Sequence, residues 1–443
     1  MHVLLLSVGV FLCAVLQANA HTVVLKGATL IDVDNYGNST RDLPDAVIVI
    51  TDGTITAVGS RRTVEVPRGA TVVEVTGKYL LPGLCDSFIG VANQSIADAM
   101  LYMGVTTALG APQGADNVFF EPARGPRVLK RRAITGYSAE SAAPLRVDKS
   151  DQPLRDSDLI AQMDGYATSG VRVFHLLHSL QPRQTAVILL HAKKLRIPTI
   201  GELANTPYPD AIRDGISALL HSPRYALALA DSQRQAAVAA DPFGLARNAF
   251  YKWLEDLDAS ENAIRAYAQL LATSKVGLIP TLAMIAGEDT AQRVPATEPV
   301  LRILARNEDP AANRREPPNP IGQLLSENLL RIERVYAKAG VHYLTGGGTH
   351  YGQLPGRSIH AEMKMLVRIG LTPRQAIAAA TSNFASIYGF KDVGSVKPGA
   401  PGDLIVLDAD PRVEIANTSK IHSVYVGGNV IDRDALLANR SGR

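Results

Sequence analysis

Short apolar strands alternate with amphipathic helices along the middle of the chain, and this alternation limits the possible folds more than any other feature. The segments GVTTAL, RVFHLL, IPTIGEL, ISALLH, VGLIPTL and VHYLTGG, between residues 104 and 347, each precede or follow a helical stretch. Strands that alternate with helices pack as parallel β/α units. A run of roughly 250 to 300 residues of this kind suits a (β/α)8 barrel. Residues 184–194 carry apolar side chains at helical spacing, and a helix over 373–387 opens after Thr372, a good N-cap residue. The stretch 289–320, rich in Pro, Asn, Arg and Glu, reads as a long surface insertion of the kind that forms lids.

The two ends have a different texture. Residues 22–75 are short β runs broken by turns, with Asp52-Gly53 where a hairpin should reverse, and the β pattern returns in GDLIVLDAD from Gly402 and IHSVYVGGNVID from Ile421. Strands this short need one another to bury an apolar face. The fold expected is therefore α/β, with a TIM-type (β/α)8 barrel over 83–391. A small composite β-sandwich over 21–82 and 392–443 completes it.

Composition excludes several classes. With 443 residues, 46% hydrophobic and 20% charged, the chain is long enough for a barrel plus a smaller unit. The net charge is only +3, and the one basic cluster, Lys130-Arg131-Arg132, reads as a solvated turn or helix face, so no nucleic-acid partner is expected. Residues 1–20 read as a signal peptide, with an apolar run from Val3 to Val15 and an Ala18-Asn19-Ala20 cleavage motif. That implies export, to a periplasm or beyond, and no stable membrane span once the leader is removed. Cys13 lies in the leader, leaving Cys85 with no intrachain partner.

Three strings taken together resemble the amidohydrolase superfamily, particularly its imidazolonepropionase-like branch. They are ITDGTITAVGS at 50–60 with GKYLLPGLCDS at 77–87, MGVTTALG at 103–110, and IGLTPRQAIAAATSNFASIYGF at 369–390 followed by VGSVKPGAPGDLIVLDADP at 393–411. The resemblance implies a metal-activated water at the C-terminal mouth of the barrel. Its ligands would be a His-x-His pair on strand one, a carboxylated Lys or Glu on strand four, a His each on strands five and six, and an Asp on strand eight.

This chain departs from that pattern at most positions. Strand one reads Asp86-Ser87-Phe88-Ile89-Gly90, so both imidazoles are missing. Strand four offers His175, strand five Glu202 and strand six His221, while Gly348 falls where the strand-eight Asp belongs. Two His and one Glu are a zinc donor set that leaves one position open. His175, Glu202 and His221 are accordingly the expected metal ligands, for one zinc or other divalent ion if any metal binds at all. His350 is the candidate replacement base. His178 is expected to be exposed, and His342 and His360 to be structural. Gly346-Gly347-Gly348 fits either an anion-binding run of amides or a tight turn. Trp253, Phe250 and Tyr251 fit packing.

The functional expectation is an exported amidohydrolase-like protein of the class that hydrolyses C–N bonds, its dinuclear metal site reduced or lost, acting on a small molecule. The alternative is a non-catalytic paralogue that binds a ligand, forms a homo-oligomer or assembles with a complete amidohydrolase. Metal content separates the two.

Overall fold

The computed structural model describes residues 21–110, 125–137, 152–255, 257, 261–287, 293–304, 326–348 and 352–438. The leader, His350 and most of the insertion at 289–320 lie outside the described residues. Within that insertion, Pro299–Leu304 is a helix whose Val300 and Ile303 pack with Met103 and Leu354, so this part is anchored rather than a bare surface loop.

Eight strands form one parallel sheet in chain order: Leu84–Ile89, Val105–Gly110, Arg127–Ile134, Val173–Leu176, Thr199–Gly201, Ala218–Leu220, Gly277–Ile279 and His342–Tyr343. The first and last segments meet and close the ring. The Ser87 amide donates to the Thr345 carbonyl at 2.9 Å, and the Gly348 amide donates to the Phe88 carbonyl at 2.7 Å. Alternate residues face inward, and the interior is filled by Cys85, Leu109, Leu129, Ile200, Leu220 and Leu344 among others. Cys85 is a buried free thiol. This is a (β/α)8 barrel with a packed core.

The basic triplet lies within the third barrel strand, contrary to its reading as a solvated turn or helix face. In Arg127–Ile134 the pleat exposes Lys130 and turns Arg131 inward, where only 2% of it remains accessible. The helix expected over 373–387 is two helices, Pro373–Ala379 and Ser382–Tyr388, separated at Thr381, which has ψ −96. Thr372 caps the first, accepting the Gln375 amide while Gln375 answers with its side chain.

The chain ends build two further sheets. Thr54–Ser60, Ala46–Thr51, Thr22–Lys26 and Thr71–Glu74 make one. The other, in order, is Asn429–Val430, Ile421–Val426, Leu404–Leu407, Tyr79–Pro82 and Thr29–Leu30. Two segments from the N-terminal part therefore sit beside strands from the C-terminal part. Val23, Ile48 and Ile55 of one sheet share a core with Leu80, Leu404 and Tyr425 of the other. Asp52-Gly53 forms the hairpin turn with φ 47 and 81, the doubly left-handed backbone that a two-residue loop prefers. No described helix is long and apolar enough to cross a membrane.

An ionic knot ties these sheets to the barrel. Arg374, on the helix Pro373–Ala379, donates to both Asp42 carboxylate oxygens at 2.6 and 2.9 Å, and Arg412 bonds the same carboxylate. Burial alone would raise the Asp42 pKa, but the bonds from Arg374, the Asp32 amide and Arg412 outweigh it and hold the group at about 2.

Candidate functional site

The C-terminal ends of the first six barrel strands bring the relevant side chains together. Asp86 is fully buried, and its Oδ1 accepts the Phe88 and Gly347 amides, each at 2.9 Å. Burial pushes its carboxyl up to about 6, against the lowering effect of those two amides. Asp86 thus pins the first strand to the segment after the last one. Next along the strand, Phe88 stands where the first imidazole of a His-x-His pair would be. Its ring lies edge to face with His221 at 5.0 Å and with His175 at 6.4 Å between centroids.

His175, Glu202 and His221 come to this region, where Glu202 and His221 are committed to other partners. His175 Nε2 lies 3.9 Å from Glu202 Oε2, too far for a hydrogen bond, and has no hydrogen-bond partner among the described residues. Burial first, then the charge of Arg131, pushes the His175 pKa well below its ordinary value, so the ring is neutral. Glu202 Oε1 faces Arg224 Nε at 3.3 Å, an ion pair that supplies its countercharge. His221 has φ 63, an uncommon backbone for a non-glycine residue, and its Nδ1 lies 2.8 Å from Thr281 Oγ1. Because that hydroxyl donates to the Pro280 carbonyl at 2.7 Å, His221 Nδ1 is the donor to Thr281.

The glycine triplet is explained by packing. A Cβ at Gly346 would meet Ile279 at 2.6 Å and Phe88 at 3.0 Å, and one at Gly347 would meet Asp86 and Ser358 oxygens at 2.5 Å. Gly348 has φ 55, a backbone that strains any side chain, and its Cβ would meet Met284 Sδ at 2.9 Å. The anion-cradle reading fails on the same ground, because the Gly347 and Gly348 amides are already used by Asp86 and Phe88.

Two residues differ from their sequence readings. His178 is not exposed; it is 3% accessible and packs edge to face with Phe243 at 4.5 Å. Arg131 was not singled out, yet its guanidinium lies 4.7 Å from the Phe88 ring centroid, and Nε and Nη1 are buried without hydrogen-bond partners among the described residues. Burial lowers its pKa to about 10, and it interacts electrostatically with Tyr388, Asp86 and Glu202. The signal for it was present, since the middle residue of a three-residue basic run in a strand faces opposite to its neighbours.

The metal set implied by the fold does not fit these residues. Phe88 and Gly90 bring no donor, Glu202 is held by Arg224, and two guanidinium cations already occupy the region. Among the described residues no three His, Cys, Asp or Glu side chains are grouped to hold a metal ion. The expected ligands His175, Glu202 and His221 therefore share a location without forming a coordination shell. His350 lies outside the described residues. Beside this cluster a cavity of about 510 Å³ opens between the loops after the third, fourth and fifth strands, lined by Tyr137, His178, Gln181, Asn205 and Phe243.

The sequence profile of the amidohydrolase family matches residues 257–431, from before the seventh barrel strand to the last sheet. That match covers less than half of the chain, which over this stretch is similar to the amidohydrolase family. Molinate hydrolase shares the fold at a TM-score of 0.66 and 18% identity, with 95% of this chain and 96% of that one covered. A Xaa-Pro dipeptidase with bound methionine gives 0.62 at 15%, covering 93% and 99%, and ochratoxinase of A. niger gives 0.61 at 17%, covering 93% and 95%. An adenine deaminase of Desulfitobacterium hafniense (strain Y51) is 33% identical over 79 residues, 18% of this chain and only 13% of the deaminase.

Proposed function

We propose that this chain binds a small C–N-bonded molecule, such as an amide, an amidine or a short peptide, at the barrel mouth, and does so without the dinuclear metal pair of its family. The observation that carries this reading is Phe88. Its ring fills the place of a metal-binding imidazole and packs against both histidines that would otherwise converge on an ion. Hydrocarbon cannot replace a donor atom. A water activated by a metal therefore has no complete ligand set here, which favours ligand binding over the family's hydrolysis.

The cavity beside Phe243 supports the same reading. At about 510 Å³ it falls in the range that accepts drug-sized ligands. Its lining combines aromatic walls with amide, hydroxyl and imidazole groups and the Asp241 carboxylate. The names of the structural relatives, a molinate hydrolase and a Xaa-Pro dipeptidase, point to ligands of this class. On the leader-like first twenty residues, the place of action is outside the cytoplasm.

Elemental analysis of protein purified without chelator, paired with a thermal-shift screen against N-acyl amino acids, cyclic amides and amidines, tests the proposal. Metal-free protein stabilised by at least one compound supports it, and Phe243→Ala should remove that stabilisation. Stoichiometric metal together with turnover of any compound overturns it and restores the hydrolase reading.

A further inference from the structure

We propose that the cavity beside Phe243 selects a small organic cation, an amidine or amine protonated at nitrogen, and that Asp241 is the residue that selects it. This rests on the reading that the chain binds a C–N-bonded molecule there, and names the charge of that molecule.

The charges around the cavity are one-sided. Asp241 lines it, and no described lysine or arginine does. Among the described residues Asp241 has no ion-pair partner. The Arg224 guanidinium lies 5.0 Å from the Phe243 ring centroid, but it faces Glu202 at 3.3 Å and donates to the Pro242 carbonyl at 2.8 Å, so its charge is answered elsewhere. A carboxylate on the wall of a partly enclosed cavity is less hydrated than one in open water, and a positively charged ligand supplies what is missing.

The hydrogen bonds leave acceptors open on this cavity. Asp241 lies between the helices Ser232–Ala240 and Leu245–Glu255, and its Oδ2 accepts the Ala246 amide at 3.2 Å, satisfying one of the open amides in the second helix's first turn. The carboxylate folds this close only because residue 244 is glycine, since a Cβ there would collide with both of its oxygens. Oδ1 makes no hydrogen bond among the described residues, so one oxygen holds the loop and the other is open to a ligand. Asn205 adds a second acceptor. Its backbone amide donates to the His178 carbonyl and its Nδ2 to the Ser179 carbonyl, each at 3.2 Å, which fixes the side chain between the loops after the fourth and fifth barrel strands. With Nδ2 engaged there, Oδ1 is the end left for a ligand, and it has no partner among the described residues. Open acceptors call for a molecule rich in N–H groups. An amidinium surrounds a planar cation with such donors, whereas a neutral amide puts a carbonyl oxygen, another acceptor, in place of one nitrogen.

Benzamidine and benzamide separate this from a site that reads shape alone, because they match in size and differ in charge at neutral pH. Titration calorimetry of wild type and Asp241→Asn gives the dissociation constants. Wild type should bind benzamidine roughly tenfold or more tighter than benzamide, the difference that one hydrogen bond to a charged group makes. Asp241→Asn keeps an oxygen for the Ala246 amide and should bring the two compounds to parity. If that variant fails to fold, sodium chloride takes its place in the test: the preference of wild type for benzamidine should shrink as salt is added, and a preference unmoved by salt overturns the inference. Equal affinities in wild type, tighter binding of benzamide, binding of neither compound, or a preference that survives in Asp241→Asn also overturns it. A neutral C–N compound that binds better than either cation leaves the proposed function standing, whereas stoichiometric metal with turnover overturns that function whichever compound binds more tightly.

Discussion

The carboxylate of Glu362 accepts the backbone amide of Ala283 at 2.7 Å, and its other oxygen accepts the Leu282 amide at 3.0 Å. It thereby caps the short helix Leu282–Ala286 from the neighbouring helix Arg357–Arg368, where the side chain of the residue at the cap position, Thr281, makes no capping bond. The capped helix carries Met284, whose sulfur crowds the place a Cβ would take at Gly348.

Glu362 sets a pH dependence of stability. Burial raises its pKa from 4.5 to about 8, against the two amides that lower it. Between these values the folded chain holds a proton that the unfolded chain has released, so folding stability falls as pH rises from about 4.5 to about 8. Asp86, pushed up to about 6, acts in the same direction. Urea midpoints should decline across this window, and Glu362→Gln should flatten the decline. Because Gln places an amine against one backbone amide, the variant should also lose roughly 1–3 kcal/mol at low pH.

Asp42 gives the opposite sign. Its folded pKa of about 2 lies below the unfolded 3.8, so its contribution is complete above about 3.8 and is lost as pH falls toward 2. Asp42→Asn should cost roughly 1–3 kcal/mol at neutral pH, the range for hydrogen bonds to charged groups. Chemical denaturation at neutral and acidic pH checks both points. An unchanged neutral-pH midpoint would mean that the Arg374 and Arg412 contacts add nothing to stability.

Restoring the family aspartate alone should do harm. At Gly348, φ is 55 and a Cβ would meet Met284 Sδ at 2.9 Å. Gly348→Asp should therefore cost roughly 1–3 kcal/mol in backbone strain and overpacking. It should not confer metal binding, because Phe88 and Arg131 remain. A calorimetric melting temperature equal to wild type would refute the packing account of the glycine triplet.

Truncation before Leu404 should expose the apolar face shared by both terminal sheets. The strand Tyr79–Pro82 would lose its ladder with Leu404–Leu407, and Leu80 would lose its contacts with Leu404 and Tyr425. Loss of β signal from the remaining N-terminal strands, read by circular dichroism, is the expected result. A truncated chain with unchanged β content would show that the N-terminal strands stand alone.

The barrel was legible because its strands are short apolar runs set between helices, a pattern that few other folds produce. The missing imidazoles and the missing aspartate were equally plain, since Phe88, Gly90 and Gly348 can be read directly from the sequence. What was not legible were the partners. Glu202 reads as a free ligand until Arg224 is found beside it, because that pairing joins different strand-end loops. Arg131 was hidden by Lys130 and Arg132, whose charge made the triplet look solvated, although the pleat turns the middle residue inward. The division of 373–387 into two helices was hidden for a different reason. Nothing in the string AAATSNF breaks a helix, and the bend comes from tertiary packing around Thr381.

The placement of Tyr79–Pro82 next to Leu404–Leu407 also bears on how the molecule is made. During synthesis the first eighty residues emerge long before the segment that completes their sheet, so Tyr79–Pro82 leaves the ribosome without Leu404–Leu407 beside it. A contact spanning more than three hundred residues closes slowly, because the loop entropy must be overcome before the pairing is gained. Over that interval the edge left open by the missing strand is a place where two nascent chains can pair with each other. A chain with this connectivity has its greatest need of a chaperone during the time between the first strand and the last.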